Sequence, residues 1–215
     1  MNRERITITI EGDLLPVVDK LIDGKLIRNR SHALESAVRS GLALQEMGTV
    51  FFIYGKKNPT QEQTEQLAKI LQAFPYLTSY VITPSSAQAE ALLWHTSFLQ
   101  QSNSGELPKS LPGDFGSAAA LLLAKQTSPH FLIIDLDNLS TQPDTLLSAF
   151  VSHHRDTSLV THLLVNSGLE FSYSGFSFSR AEMMSIIPAG PADIDTDIFP
   201  LLSKTRKVST YVYPI

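Results

Sequence analysis

Arg5-Ile6-Thr7-Ile8-Thr9-Ile10 alternates without exception, Ile on one face and Arg or Thr on the other. Period-two alternation of β-branched residues specifies a strand with one buried face. Helical spacing follows at once. Leu14, Leu15, Val18, Leu21 and Ile22 form one helical face, with Asp13 as a possible N-cap, Pro16 in the first turn and Asp23-Gly24 as the stop. A second stripe, Leu34, Ala37, Val38, Gly41 and Leu42, follows a cap at Asn29 or Ser31 and ends near Met47-Gly48. A strand–helix–helix unit this short buries too little apolar surface to stand alone, and its strand lacks a ladder partner. Homodimerisation solves both problems, because two such strands pair antiparallel across a twofold axis. Arg5, Thr7 and Thr9 then project from a two-stranded ribbon, which has the width of a DNA major groove. The alternative is an edge strand of a larger α+β domain with a solvated Thr face.

Residues 3–45 resemble the ribbon-helix-helix DNA-binding family, through the alternating strand, the first amphipathic helix and Arg28-Asn29-Arg30-Ser31-His32-Ala33-Leu34 opening the second. The resemblance implies base contacts from Arg5, Thr7 and Thr9, with Arg3 also on the ribbon. It also implies a phosphate clamp at the amides opening the second helix, around Asn29 to Ser31, with Arg28 and Arg30 beside it. An Arg fork matches guanine, and a helix N-terminus attracts phosphate. Double-stranded DNA is thus the expected partner, bound by a homodimer or a dimer of dimers.

Charge has to be apportioned before it is used. The chain of 215 residues has 17 Lys+Arg and 21 Asp+Glu, a formal net charge of −4. Residues 1–47 hold seven of each sign, so the acidic excess belongs wholly to the remainder. A hydrophobic fraction of 43% and a charged fraction of 18% fit a globular chain. The absence of Cys excludes disulfides, Cys-ligated zinc, iron–sulfur clusters and thiol catalysis. The longest apolar run, Ala118 to Ala124, is far shorter than the ~20 residues of a membrane span. Met1 to Glu11 lacks a signal-peptide core. A cytoplasmic protein without membrane contact is expected.

Residues 49–215 read as a layered α/β domain, because strands alternate with helices. Strands are expected at Thr49–Tyr54, Ser79–Thr83, Phe131–Asp135 and Ser158–Asn166. Helices are expected at Gln61–Phe74, near Ser86–Leu99, at Ser117–Lys125 and at Thr145–His153. Gln100 to Gly113 reads as a polar loop. In Phe131-Leu-Ile-Ile-Asp135-Leu-Asp137, an apolar strand ends in two acids at the edge where open α/β sheets bind ligands. Asp135 and Asp137 share a face if the strand continues, and could then hold Mg2+ against phosphates. Alternatively one acid caps the following turn and the other is solvated.

Leu111-Pro-Gly-Asp-Phe-Gly116-Ser117-Ala-Ala-Ala-Leu-Leu-Leu-Ala-Lys125, with the Asp135–Asp137 strand, resembles the middle of the sugar-nucleotide pyrophosphorylases, nucleotidyltransferases of the GT-A-like fold. Gly175-Phe-Ser-Phe-Ser179, Ile187-Pro188, Asp193-Ile-Asp195-Thr-Asp197-Ile-Phe199-Pro200 and Lys207 to Tyr213 are similar to later parts of the same family. The resemblance implies that Gly116 and Ser117 stand in place of a Gly-Thr pair. It implies that Asp137, with Asp197, stands where a metal would be held. The family's opening strand and its Gly-x-Gly-Thr-Arg phosphate loop have no counterpart in the sequence; Gly55-Lys56-Lys57-Asn58-Pro59 resembles a later Gly-Lys-Pro step. Leu136 replaces the Gly that usually precedes the metal-binding Asp.

No histidine pair combines i, i+4 spacing with a carboxylate ligand, so His153, His154 and His162 read as surface or boundary residues, and Trp94 and His95 as packing. No Gly-x-Ser-x-Gly elbow is present. Lys204, Arg206 and Lys207 read as a solvated face; with Arg155 and Arg180 they are the cations this region offers an anionic ligand. The combined expectation is a non-enzymatic homodimeric DNA-binding transcription regulator without a cofactor or bound metal. Its α/β domain, a degenerate nucleotidyltransferase-like module, senses a small anionic nucleotide-type ligand through Gly116, Ser117, Asp135, Asp137, Arg155 and Arg180, or docks a protein. The alternatives are a dimeric interaction protein that binds no DNA and an active nucleotidyltransferase.

Overall fold

Met47–Ile53 (β1) carries Val50-Phe51-Phe52 with every side chain buried, as in a strand covered on both faces. The computed structural model describes residues 7, 9–22, 24, 27–55, 59–72, 77–84, 109–124, 128–140, 146–166, 168 and 170–213. The chain divides into two compact units, Met1–Leu44 and Gln45–Ile215.

In the first unit a 3-10 turn, Gly12–Leu14, leads into α1 (Leu15–Lys20), with Pro16 in its first turn. The helix α2 spans Arg30–Gln45. Asn29 Oδ1 accepts the His32 N–H at 2.9 Å, so Asn29 is the N-cap. Arg30 donates to both Asp19 carboxylate oxygens, at 2.7 and 2.8 Å, across the gap between the helices. Thr7 and Thr9 are exposed, and no strand occurs among the described residues of this unit. Arg3 and Arg5 lie outside the described residues. The structure therefore supplies the two helices but does not show the ribbon, nor a ribbon-helix-helix unit. Two of the four expected clamp residues are committed within the unit, Asn29 to its own helix and Arg30 to Asp19.

In the second unit the other strands are β2 (Thr78–Thr83), β3 (Lys109–Pro112), β4 (His130–Asp135), β5 (Val160–Asn166), β6 (Phe171–Arg180) and β7 (Val208–Tyr213). Their order across the sheet is β3-β2-β1-β4-β6-β5-β7. β1, β2, β3 and β4 run parallel, β6 is antiparallel to both β4 and β5, and β7 is parallel to β5. The helices are α3 (Gln61–Gln72), α4 (Ser117–Leu121), α5 (Leu146–Arg155) and α6 (Phe199–Lys204), the last preceded by a π-helical turn, Ile194–Ile198. Phe51 stacks on Tyr80 at 5.3 Å and meets the edge of Phe131 at 5.5 Å. Around these rings pack Leu121, Ile133, Ile194, Ile198 and Leu202, all buried. Truncating a core ring such as Phe51 to Ala costs about 3–5 kcal/mol.

The polar stretch read as a loop to Gly113 contains a strand. β3 pairs with β2 alone, from Tyr80↔Lys109 to Thr83↔Pro112, and Pro is tolerated on such an edge. The helix expected over 86–99 lies outside the described residues. Among the described residues no helix is long and apolar enough to cross a membrane.

Candidate functional site at the carboxyl edge of the sheet

β1 leads to β2 and β3 on one side of the sheet, and the chain returns to β4 on the other. The carboxyl ends of β1 and β4 therefore flank a topological switch point, where open α/β sheets bind ligands. Gly55 leaves β1 and Asp137 leaves β4 at this crevice. Leu136 N–H still donates to Ile53 O at 3.0 Å, so the two exits are tied together. The approach is close: a methyl built on Gly55 would stand 2.0 Å from Asp137 Oδ2. β1 is a central strand of the sheet, between β2 and β4. The strand expected at Thr49–Tyr54 is therefore present, while residues 56–58 of the Gly55–Pro59 stretch lie outside the described residues.

Asp135 and Asp137 do not share a strand face. β4 ends at Asp135, whose side chain turns inward and is buried. Asp135 Oδ1 accepts the Asp137 N–H at 2.9 Å and Oδ2 accepts the Asn138 amide at 2.6 Å. This Asx-type turn directs Asp137, which is exposed. Asp135 positions the turn, and Asp137 is the carboxylate presented to solvent. Gly175 in β6 packs on this turn at φ +87, where a methyl would lie 2.8 Å from Asp135 O.

Residues 192–197 are fastened to the start of α4. Ser117 N–H and Oγ both donate to Asp193 Oδ1, at 2.8 and 3.1 Å, and Ile194 N–H donates to Ser117 Oγ at 3.0 Å. The amides of Ala118 and Ala119 bond to Ala192 O. Gly116 makes this possible with φ +96, its Cα so near Ala192 that a methyl would meet the carbonyl oxygen at 2.2 Å. The start of α4 is therefore spent on the chain's own Asp193. Gly116 and Ser117, expected as ligand contacts, are held by the chain's own residues 192–194. Asp197 is likewise committed, its Oδ2 accepting the Asp193 N–H at 2.8 Å.

The field in this corner is negative. Burial, then the charges of Asp135 and Asp193, raise the Asp195 carboxyl to about 6. Burial also pushes the Tyr173 phenol upward, and Asp135 and Asp195 add to that shift. Tyr173 Oη and His162 Nδ1 both reach Ser177 Oγ at 2.8 Å. Burial depresses His162 to about 4. Sequence spacing pointed to neither Tyr173 nor His162 as part of this hydrogen-bonded cluster, since they come from different strands.

Arg155 and Arg180 lie at the opposite end of the sheet. Arg180 pairs with His130, the first residue of β4, about 16 Å of strand from Asp135. Its guanidinium donates to the carbonyls of His153, His154, Asp156 and Ser158, fastening the end of α5. Arg155 ends the same helix and is exposed. Both stand at the end of the sheet away from the crevice. Lys204, Arg206 and Lys207 are exposed. His153, expected at a surface or boundary, is fully buried.

No family model matches the chain, and no curated protein is similar to it in sequence. Solved structures are similar in fold. 4-Diphosphocytidyl-2C-methyl-D-erythritol synthase from Anaerococcus prevotii aligns at a TM-score of 0.52 and 8% identity, over 80% of this chain and 89% of that one. Glucosyl-3-phosphoglycerate synthase from Mycobacterium tuberculosis, solved with Mn2+, uridine diphosphate and phosphoglyceric acid, aligns at 0.52 and 12% identity, over 80% and 71%. At such identities the likeness concerns the fold, a mixed α/β sheet of nucleotidyltransferase and GT-A type. It corrects the expectation of a non-enzymatic DNA-binding regulator: that expectation weighed the first 47 residues above the rest, whereas four-fifths of the chain follows the architecture of transferases.

Proposed function

We propose that the chain is a transferase of the nucleotide and sugar-nucleotide type, acting at the crevice between β1 and β4. The observation that carries this reading is the juxtaposition of Gly55 and Asp137 at the switch point of the sheet. The missing side chain at residue 55 lets the Asp137 carboxylate lie against the backbone where the two strands end. The donor set is all oxygen, which suits Mg2+ or Mn2+ rather than a softer ion. Asp137 would hold such an ion, with Asp195 and Asp135 strengthening the local negative field. When bound, the ion neutralises charge on phosphate oxygens.

The remaining work falls to the chain itself. Asp135 fixes the turn that presents Asp137, and Asp193 locks residues 192–197 against α4. In nucleotidyl transfer an acceptor phosphate oxygen attacks the α-phosphorus of a nucleoside triphosphate. The bond to the bridging oxygen breaks, and pyrophosphate leaves with the electron pair. Such chemistry depends on positioning and charge stabilisation, so it requires little beyond a well-held site.

The test is pyrophosphate release from each of the four nucleoside triphosphates with Mg2+ and a panel of phosphorylated sugars and polyols. Asp137→Asn should reduce turnover by at least about 100-fold, in the range set by loss of one transition-state charge contact. Uridine-diphosphate sugars in place of the triphosphates would reveal glycosyl transfer. If the wild-type protein binds no nucleotide in the presence of Mg2+ or Mn2+, the proposal fails.

A further inference from the structure

The amino edge of the sheet, opposite the crevice, carries a different cluster. Glu46 immediately precedes β1, His130 opens β4 and His154 lies in the last turn of α5. One side-chain donor atom from each falls within 4.8 Å of the others. His154 Nε2 stands 3.1 Å from Glu46 Oε2, and His130 Nε2 stands 3.6 Å from the same oxygen. We propose that Glu46, His130 and His154 form a binding site for a divalent transition metal ion, Zn2+ by its donor set, with one coordination position open.

Geometry supports this in two independent ways. Zinc bonds of about 2.0–2.1 Å in a tetrahedron place neighbouring donors about 3.3 Å apart, midway between the two observed separations. At 3.1 Å His154 and Glu46 share a hydrogen bond, whereas at 3.6 Å the His130–Glu46 pair is too long for one, so His130 Nε2 faces the carboxylate without bonding to it. Second, the shell behind His130 suits a ligand. His130 Nδ1 reaches His153 Nε2 at 3.3 Å, His153 Nδ1 reaches Thr161 Oγ1 at 2.9 Å, and Thr161 Oγ1 reaches Ser209 Oγ at 2.8 Å. If each ring donates its Nδ1–H along this chain, the His130 Nε2 lone pair faces Glu46 and His154. Outer partners that fix the tautomer in this manner are characteristic of metal-bound imidazoles. His130 is buried, while Glu46 and His154 are each roughly half open, so an ion has access from solvent.

Two imidazoles and a carboxylate are an unsuitable cage for Mg2+, which takes oxygen ligands. This separates the site chemically from the carboxylate crevice. Its position joins the start of β1, the start of β4 and the end of α5, so an ion there would clamp the second unit. The proposal does not depend on the transferase reading.

Calorimetric titration of the metal-free full chain with ZnCl2, in millimolar Mg2+, should show one tight site. Co2+ in place of Zn2+ should give the visible bands of a low-coordinate ion with nitrogen ligands. Glu46→Gln and His154→Ala, both at exposed positions, should each weaken Zn2+ by at least tenfold. His153→Phe should weaken it by about 10–100-fold through loss of the outer bond. Asp137→Asn should leave it unchanged. Zn2+ at 100 times its Kd should raise the wild-type Tm by roughly 5–10 °C and leave the Glu46→Gln/His154→Ala double variant unmoved. Circular dichroism would confirm that each variant is folded. Absence of binding at micromolar Zn2+, or binding that survives in the folded double variant, overturns the proposal.

Discussion

Asp137 Oδ2 lies 2.0 Å from where a Cβ on residue 55 would be, and only glycine allows the contact. The two residues are 82 positions apart, yet each leaves a neighbouring parallel strand at the same sheet edge. Gly55→Ala should therefore displace the Asp137 carboxylate. We expect metal–nucleotide affinity to fall at least tenfold while Tm changes little, because the exposed carboxylate can swing away. Nucleotide titration monitored beside thermal melting checks both halves.

Asp193 caps α4 from a distant part of the chain, accepting from Ser117 N–H and Oγ. Asp193→Ala removes the cap and should cost about 1–2 kcal/mol. Asp193→Asn, which keeps an acceptor oxygen, should recover most of it. Urea unfolding midpoints of the two variants are the measurement.

Asp195 and His162 give opposite pH dependences. Asp195 is raised in the folded state to about 6 from 3.8, so the fold holds more protons than the unfolded chain between those values. Its contribution to stability is lost as pH rises through that window. His162 is lowered to about 4 from 6.5, so its contribution is lost as pH falls from 6.5 towards 4. Asp195→Asn should raise Tm at pH 7 but not at pH 4. His162→Gln should make the acid side less steep, with His130 and His153, also depressed by burial, keeping part of the slope. Tm measured from pH 4 to 8 separates the two.

Arg180 fastens the end of α5 through four backbone carbonyls. Arg180→Met should destabilise by about 1.5–3 kcal/mol, the range for hydrogen bonds to a charged group. It should leave nucleotide affinity unchanged, since the residue sits at the opposite end of β4. A loss of nucleotide affinity in a stably folded variant would contradict that placement.

Much of the second unit was legible because its signals are local. Val50-Phe51-Phe52 and Phe131-Leu-Ile-Ile134 are continuous apolar runs, and buried parallel strands need nothing else. β3 was not legible: Lys109-Ser-Leu-Pro112 has one buried residue, and its strand character comes from β2 alone. The two acids after β4 stood out, but their roles did not. An Asx turn ends β4 at Asp135, so the two-residue spacing separates their faces instead of aligning them. Gly116-Ser117 stood out too. That the chain fills this helix start with its own Asp193 depends on residues 76 positions apart, and local patterns carry no trace of it. The histidines escaped for the same reason: His130 and His154 meet only because β4 and α5 pack together. Arg155 and Arg180 were grouped with Asp137 by charge alone, and the strand register places them at the other end.

β1 has one neighbour early and one late. Thr49 pairs with Thr78, 29 residues on, but on its other side with Phe131, 82 residues on. During synthesis from the N-terminus, a largely apolar strand is complete long before the chain that must cover its second edge exists. Until β4 emerges, that edge is an unsatisfied hydrogen-bonding ladder beside exposed Phe51 and Phe52, open to pairing with other chains. The order of the strands that creates the crevice thus also creates an interval in translation during which the nascent protein depends on protection from aggregation.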